Sequence, residues 1–247
     1  MIQKFALLAD IHGNVWALES VIKDITGRGI ENLINLGDIF YGPLEPQGTA
    51  GLLKDFSMLT IQGNQDRFIY ENIETPSENP TLDHVLKQLS DDRIRWLEAL
   101  PKTSVAAGEI FLCHGTPLND ESYLLEDISQ GTPRLKTNPE LNHLLENIQQ
   151  PIIVCGHSHI QGTVQLPNGK LIVNPGSVGL PAYSDDLPIF HRMESGSPHA
   201  SYSILSGSDT GWKIEHIKIP YDWEKAAKEA SKNHRDDWAK WIRTGRD

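Results

Sequence analysis

Short apolar segments that end in a polar loop recur along the chain, and the first three are followed by a helical pattern. The segment "FALLAD" leads into "IHGNVWALESVIKDI", in which apolar residues recur every three or four positions. The same order of strand and helix recurs in "ENLINLGDIFYGP" and in "FSMLTIQGNQDRFIYENI". A repeated unit of strand, loop and helix favours an α/β sheet with parallel strands.

The second half of the chain is rich in strand patterns. "TSVAAGEIFLCHG" predicts two short strands joined at Gly108 and Glu109, and "PIIVCGHSH", "GTVQLPNGKLIVNPG", "HASYSIL" and "GWKIEHIKI" predict more. Residues 116–139 show no clear period, and a short amphipathic helix is expected from Pro139 onward. A long loop beside a binding site is typical of a lid, so this loop is a candidate lid.

The end of the chain, from Asp222, has a helical and charged pattern. We expect its tryptophans, Trp223, Trp238 and Trp241, to pack on the sheet. No linker divides the sequence, and we therefore predict one domain over residues 1–247, with residues 222–247 as a C-terminal helical extension.

Composition excludes several classes of protein. Of the 247 residues, 38% are hydrophobic and 22% are charged, which is typical of a folded globular chain. The formal net charge of −11 argues against stable nucleic-acid binding or an anionic membrane surface. Two cysteines do not make a disulfide framework, and no apolar run has the length of a signal peptide or membrane span. We expect a cytoplasmic protein without a membrane partner.

Side chains that bind metals follow five of the predicted strands. They are Asp10, His12, Asp38, Asn64, His114, His157 and His159. In an α/β sheet, ligands bind outside the carboxyl ends of the strands, so these residues are expected to converge. Seven oxygen and imidazole donors exceed the four of a tetrahedral zinc site, and they match two ions that share a bridging carboxylate about 3.5–4 Å apart.

Each of these motifs has an ordinary structural interpretation when it stands alone. Asp10 and His12 are suited to capping a following helix, "GD" and "GN" are common turn dipeptides, and His114 after an apolar run fits a structural role. "GHSH" is less ordinary, because it places two imidazoles in one loop. The joint occurrence of five such loops, each after a strand, favours the metal site.

The ordered motifs D-x-H, G-D, G-N, H-G and G-H-x-H resemble those of the calcineurin-like metallophosphoesterase superfamily. The segment "NPGSVGLP" at residues 174–181 is similar to a segment of its small bacterial branch, whose members include phosphodiesterases and dinucleoside polyphosphatases. The resemblance implies a four-layer α/β/β/α sandwich, in which two mixed sheets are flanked by helices. It also implies a dinuclear metal site.

The resemblance assigns the predicted ligands to two divalent ions. Asp10, His12 and His159 would hold the first ion. Asn64, His114 and His157 would hold the second, and Asp38 would bridge them. A water between the ions would then attack phosphorus as hydroxide. Manganese is the expected metal, and iron, nickel, cobalt and zinc are alternatives that tolerate the same donors.

The residue after the G-N motif departs from the family pattern. Most members have histidine there, whereas this chain has Gln65, followed by Asp66. We predict Asn64, Gln65 and Asp66 as catalytic residues. An amide donates hydrogen bonds but is no general acid near pH 7, so substrates with stable leaving groups, such as phosphoanhydrides or aryl diesters, are favoured.

The predicted function is metal-dependent hydrolysis of a small phosphate ester or nucleotide, at a phosphodiester or phosphoanhydride bond. The alternatives are a catalytically weak binding or scaffold protein with the same fold, and a protein phosphatase. Arg67, Arg134 and Lys136 are candidates for contact with a substrate phosphate. Tyr41 and Phe40, beside Asp38, are candidates either for stacking on a base or for packing in the core. His191 and His199 are expected to be structural.

Overall fold

The computed structural model describes residues 3–74, 79–208 and 211–247. The described helices are α1 (Val15–Gly27), α2 (Pro46–Leu53), α3 (Asn64–Glu71), α4 (Pro80–Gln88), α5 (Asp91–Glu98), α6 (Asn138–Leu144), α7 (Trp223–Lys232) and α8 (Asp236–Thr244). The described strands are β1 (Lys4–Leu8), β2 (Asn32–Asn35), β3 (Met58–Thr60), β4 (Thr103–Ala106), β5 (Ile110–Cys113), β6 (Glu126–Asp127), β7 (Arg134–Leu135), β8 (Ile152–Val154), β9 (Gln161–Gln165), β10 (Leu171–Pro175), β11 (Ala182–Asp185), β12 (His191–Glu194), β13 (Ala200–Ser208) and β14 (Gly211–Ile219).

Ten of these strands form two five-stranded sheets. The first sheet has the order β14-β13-β1-β2-β3, in which β1, β2 and β3 are parallel and the other pairs are antiparallel. The second has the order β4-β5-β8-β10-β9, in which β5, β8 and β10 are parallel. Both sheets are mixed, as predicted.

Strand β1 shows how the layers are built. Phe5 and Leu7 face the space between the two sheets, whereas Ala6 and Leu8 face the helices on the outer side of the first sheet. This alternation follows from the two-residue period of a strand. Burial of Phe5, Leu7 and Leu8 contributes about 1.5–3 kcal/mol for each side chain relative to exposure.

The outer face of the second sheet is covered by α6. Leu141 of α6 packs with Ile153 and Ile172 of the sheet in a separate apolar cluster. The layers therefore run helix, sheet, sheet, helix, and the predicted four-layer sandwich is confirmed. No helix in the described ranges combines the length and the apolar character that a bilayer crossing requires.

Residues 222–247 form α7 and α8, whose buried apolar residues belong to a cluster separate from those of the two five-stranded sheets. Trp238 and Trp241 of α8 pack against Leu44, Leu180 and Ala182, which belong to loops beside the strand ends and to β11. The tryptophans were expected to pack on the sheet, and their positions in the sequence carry no information on which surface they cover. Two short antiparallel pairs, β6 with β7 and β11 with β12, were also missed, because two to four residues show no reliable alternation.

Candidate metal centre

The structure brings all seven predicted ligands together at the strand ends. Their loops follow β1, β2, β3, β5 and β8. Two groups of three have ligand atoms within 4.8 Å of one another, namely Asp10 with His12 and His159, and Asp38 with His114 and His157. Asn64 adjoins the second group, since its Oδ1 lies 3.0 Å from His114 Nε2.

The imidazole rings are held so that Nε2 faces the cluster. Three rings place Nδ1 at hydrogen-bond distance from backbone carbonyl oxygens: His12 from Tyr41 (2.8 Å), His114 from Leu36 (2.8 Å) and His159 from Leu180 (2.6 Å). Because a carbonyl only accepts, Nδ1 carries the proton and the neutral ring leaves a lone pair on Nε2. This is the arrangement of metal-binding histidines, whose second nitrogen is fixed by an outer partner.

Unpaired acceptors show that the cluster fits cations. The Nε2 atoms of His12 and His159 are 3.2 Å apart, a contact of two lone pairs when both rings are neutral. Asp10 Oδ1 and His157 Nε2 are buried and have no hydrogen-bond partner among the described residues. Buried acceptors without donors are costly, and a bound divalent ion would satisfy them.

Asp38 lies between the two groups. Its Oδ2 is 3.4 Å from His114 Nε2 and 3.9 Å from His12 Nε2. Asp10 Oδ1 is 3.5 Å from His159 Nε2 and 3.9 Å from His114 Nε2. One carboxylate oxygen of Asp38 thus reaches a histidine of each group, and Asp10 Oδ1 does the same, so both carboxylates lie between the two groups and the placement of Asp38 is compatible with a bridging ligand.

The pKa shifts describe a cluster that needs positive charge. Burial lowers the pKa of His114, but Asp38 and Asp10 outweigh it and raise that pKa to about 10. Burial and a neighbouring imidazole lower the pKa of both His12 and His157 to about 4. Neutral His12 and His157 rings are competent ligands, and the raised pKa of His114 shows that the two buried carboxylates favour positive charge at this place.

Five of the seven predicted ligands have left-handed backbone conformations. These residues and their φ angles are Asp10 (55°), His12 (52°), Asp38 (55°), His157 (70°) and His159 (62°). Residues other than glycine adopt this region uncommonly, and such strain is concentrated at functional sites. The loops therefore hold these side chains towards the cluster, and the left-handed conformations cost conformational free energy that residue propensities do not predict.

The glycines of the G-D and G-N motifs permit the close approach of the two loops. A Cβ on Gly63 would lie 2.2 Å from Asp38 Oδ1, and a Cβ on Gly37 would lie 2.2 Å from the backbone nitrogen of Gly63. Gly37 also has a φ of 95°. The two motifs therefore need glycine because they pack against each other, which is a stronger reason than turn formation.

Asp66 was predicted to be catalytic, but it does not line the cavities beside the metal centre. It is fully buried, and its oxygens accept from the backbone nitrogens of Asp38 (2.8 Å), Ile39 (2.9 Å) and Gly63 (3.0 Å). The first turn of α3 directs its side chain inward. Burial and the nearby Asp38 raise the pKa of Asp66 to about 7. Asp66 holds the Asp38 loop in place.

Two cavities flank the candidate ligands. The larger, of about 820 Å³, is lined by the carboxylates of Glu121, Glu126, Asp127 and Asp185, and we name it the acidic cavity. The smaller, of about 190 Å³, is lined by several aromatic rings, and we name it the aromatic cavity. Its rings are those of Tyr41, Tyr123, Tyr183, Trp238 and Trp241. Four residues border both cavities, namely Asn64, Tyr123, His157 and Asp185.

Residues 116–139, the candidate lid, form much of the acidic cavity's wall. The basic residues that the sequence offered as phosphate contacts are bonded elsewhere. Arg67 donates to Asp120, and Arg134 pairs with Asp127 at 2.5 Å. Lys136 donates to the backbone oxygens of Tyr123 and Glu126, which ties the wall together.

Sequence reasoning missed a tyrosine network behind the histidine loop. Tyr183 lies edge-on to His159 with its hydroxyl 3.0 Å from the backbone oxygen of His157, and Tyr123 stacks on the His157 ring at 4.7 Å. Tyr123 in turn hydrogen-bonds His191 Nε2 at 2.7 Å, which connects His191 to this network. No motif marks these tyrosines, since their positions depend on the β11–β12 hairpin.

Comparison with known proteins establishes the family. Residues 4–194 match the calcineurin-like phosphoesterase superfamily domain, and the chain belongs to this superfamily. An uncharacterized protein of Methanocaldococcus jannaschii is 27% identical over 256 residues, covering 94% of each sequence. The predicted resemblance is confirmed. The family uses divalent metals, which agrees with the two groups of candidate ligands.

Solved structures share the fold across nearly the whole chain. A metallophosphoesterase from Sphaerobacter thermophilus has a TM-score of 0.75 at 20% identity, with 98% of both chains covered. A hypothetical protein from Pyrococcus horikoshii OT3 has a TM-score of 0.72 at 19% identity, again with 98% of both chains covered. The C-terminal extension therefore lies within the length that the shared structures span, although it is outside the matched family domain.

Proposed function

We propose that this protein is a dinuclear metal-dependent phosphoesterase that hydrolyses phosphodiester or nucleotide phosphoanhydride bonds. The observation that carries this proposal is the pair of ligand groups with Asp38 between them and with buried acceptors that lack donors. Membership of the phosphoesterase superfamily supports the reaction class.

The ligand atoms have separate tasks in this proposal. Asp10, His12 and His159 would hold one ion, and Asn64, His114 and His157 the other. Asp38 would contribute oxygen to both, and manganese is the metal we expect. The chemistry supplied by two bound divalent ions is acidification of a water and neutralisation of charge on the phosphoryl oxygens.

Gln65 restricts the leaving group. Its backbone nitrogen donates to Asp38 Oδ1 at 2.8 Å, and its side chain lines the aromatic cavity. The amide can donate a hydrogen bond to a phosphoryl oxygen, but it has no proton to transfer near neutral pH. The favoured substrates are therefore those whose leaving group is stable as an anion, such as a phosphate or an aryloxide.

Hydrolysis of bis-p-nitrophenyl phosphate and of p-nitrophenyl phosphate tests this function. Metal-stripped protein is assayed with and without manganese, beside the Asp38→Asn variant. The expected result is manganese-dependent turnover that falls at least about 100-fold in the variant, since even outer partners of ligands cost 10–100-fold. Equal turnover by the variant, or turnover without any metal, contradicts the proposal. Absence of turnover with metal bound would favour a binding protein.

A further inference from the structure

The C-terminal extension supplies a cation to the aromatic cavity. Arg235 immediately precedes α8 and lines this cavity together with Gln65, Tyr41 and Trp238. Among the described residues that line it, Arg235 is the one arginine or lysine. This residue lies beyond the five motifs and beyond residues 4–194, the matched part of the chain.

The guanidinium of Arg235 is fixed in position but retains free donors. Its Nε and Nη2 donate to Asp237 (2.9 and 2.7 Å), and its Nη1 donates to Thr81 Oγ1 (2.6 Å). The group lies over the ring of Trp238 at 5.4 Å, and that ring meets His12 edge-on at 5.6 Å. Since arginine has five N–H groups, one on each terminal nitrogen is left without a partner among the described residues.

Gln65 provides further donors in the same cavity. No described residue hydrogen-bonds to its side-chain amide, which is partly exposed at the start of α3. A preorganised guanidinium and a free amide are suited to phosphate oxygens, which prefer several N–H donors at once. The two side chains thus form a place for an anionic group beside the metal centre.

Charge distinguishes the two cavities. The acidic cavity carries four carboxylates, one of which, Asp185, also lines the aromatic cavity, and its one lysine, Lys136, already donates to two backbone oxygens. The aromatic cavity has only one further carboxylate, the candidate ligand Asp38, and it has the guanidinium of Arg235 with two N–H groups that lack a partner among the described residues. An anionic group is repelled there and attracted towards Arg235. Size agrees with charge, because about 190 Å³ is below the 300–1,000 Å³ of sites for drug-sized ligands, whereas about 820 Å³ is within it.

We propose that Arg235 and Gln65 bind the leaving phosphate of a phosphoanhydride substrate, while the substrate's organic group occupies the acidic cavity. This inference rests on the proposed function. In the reaction, a water oxygen forms a bond to the inner phosphorus, and the bond from that phosphorus to the bridging oxygen breaks. The leaving phosphate takes the electron pair, and the proton of the water passes to that phosphate or to solvent. No general acid is needed, in agreement with Gln65.

Binding of methylenediphosphonate, which cannot be hydrolysed at its P–C–P bridge, tests the inference by calorimetry on the manganese-loaded protein. Arg235→Gln is expected to weaken this ligand about 10- to 100-fold, because a charge-assisted hydrogen bond is lost. The affinity for manganese itself is expected to be equal in the wild type and the variant, because Arg235 belongs to neither group of candidate ligands. The matched control is Arg243→Gln on the same helix, where the arginine pairs with exposed Glu224 and lines neither cavity.

Gln65→Ala is the second variant, since alanine suits a helix start and leaves the Arg235 contacts intact; it is expected to weaken methylenediphosphonate about 3- to 10-fold. Undiminished diphosphonate binding by both variants overturns the inference, as does an equal loss in the Arg243→Gln control. If the variants lose diphosphonate binding selectively but the protein has no hydrolytic activity, the result would support the anion site and contradict the proposed function. The two failures are therefore distinguishable.

Discussion

The loops that carry the candidate metal ligands and the walls of the two cavities are built differently. Asp10, Asp38 and His114 are 0%, 2% and 1% exposed, and backbone contacts fix their loops. The walls come largely from residues 116–139 and the C-terminal extension, with Gln65 at the start of α3, and the side chain of Arg235 is 28% exposed. The contrast suggests that the loops set the chemistry and the walls set the choice of substrate. A loop substitution should then affect all substrates, and a wall substitution only some.

The largest effect is expected from a ligand substitution in the loops. His157→Asn should lower turnover of bis-p-nitrophenyl phosphate and of a nucleoside diphosphate by the same factor, at least about 100-fold, since it removes a ligand rather than an outer partner. Steady-state kinetics on both substrates measures this. His143→Asn, at an exposed histidine of α6, is the matched control. Loss of turnover on one substrate alone would contradict the claim that the ligand loops act on all substrates alike.

A wall substitution at Gln65 should change selectivity. Gln65→His introduces a group that can protonate a leaving oxygen, so esters with poor alkyl leaving groups should gain up to about 10²-fold relative to aryl esters, the lower end of general acid catalysis. The ratio of the two kcat/KM values is the measurement. An unchanged ratio would show that proton delivery does not limit this enzyme.

The smallest effect is expected on the stability of the fold, from substitution of Glu126 in the wall of the acidic cavity. Its Oε2 is buried without a partner among the described residues, and burial raises the pKa of Glu126 to about 7 from 4.5. A raised pKa means that the folded state prefers the protonated form. The stabilisation is therefore complete below about pH 4.5 and is lost as pH rises through 7.

Glu126→Gln should remove this pH dependence. The free energy of unfolding of the wild type should fall relative to the variant by at most about 3 kcal/mol between pH 4.5 and 8. Urea unfolding at several pH values measures the difference, with the exposed Glu109→Gln as control. If the unfolding free energies of the wild type and Glu126→Gln depend on pH in the same way, burial does not raise the pKa of this carboxyl.

The sequence predicted the loops well because each ligand follows a strand that is itself recognisable. Asp38 comes after the buried run of β2, and the G-D and G-N glycines mark loops whose backbones must touch. The walls could not be predicted in this way. Arg235 reaches the cavity because α8 packs on β11 and the loops beside it, and that contact joins segments about fifty residues apart with no motif in common. The burial of Asp66 could not be predicted either, because a spacing shows which residue type is present but not which way the first turn of a helix points it.

Calorimetric titration of metal-stripped protein with manganese tests the central claim most directly. The proposal predicts two ions bound per chain, with proton release as His114 gives up its proton to become a ligand. Asp38→Asn should weaken both binding events, since its oxygen lies between the two groups. A stoichiometry of one ion, or two ions bound with undiminished affinity by Asp38→Asn, would contradict a dinuclear site bridged by Asp38.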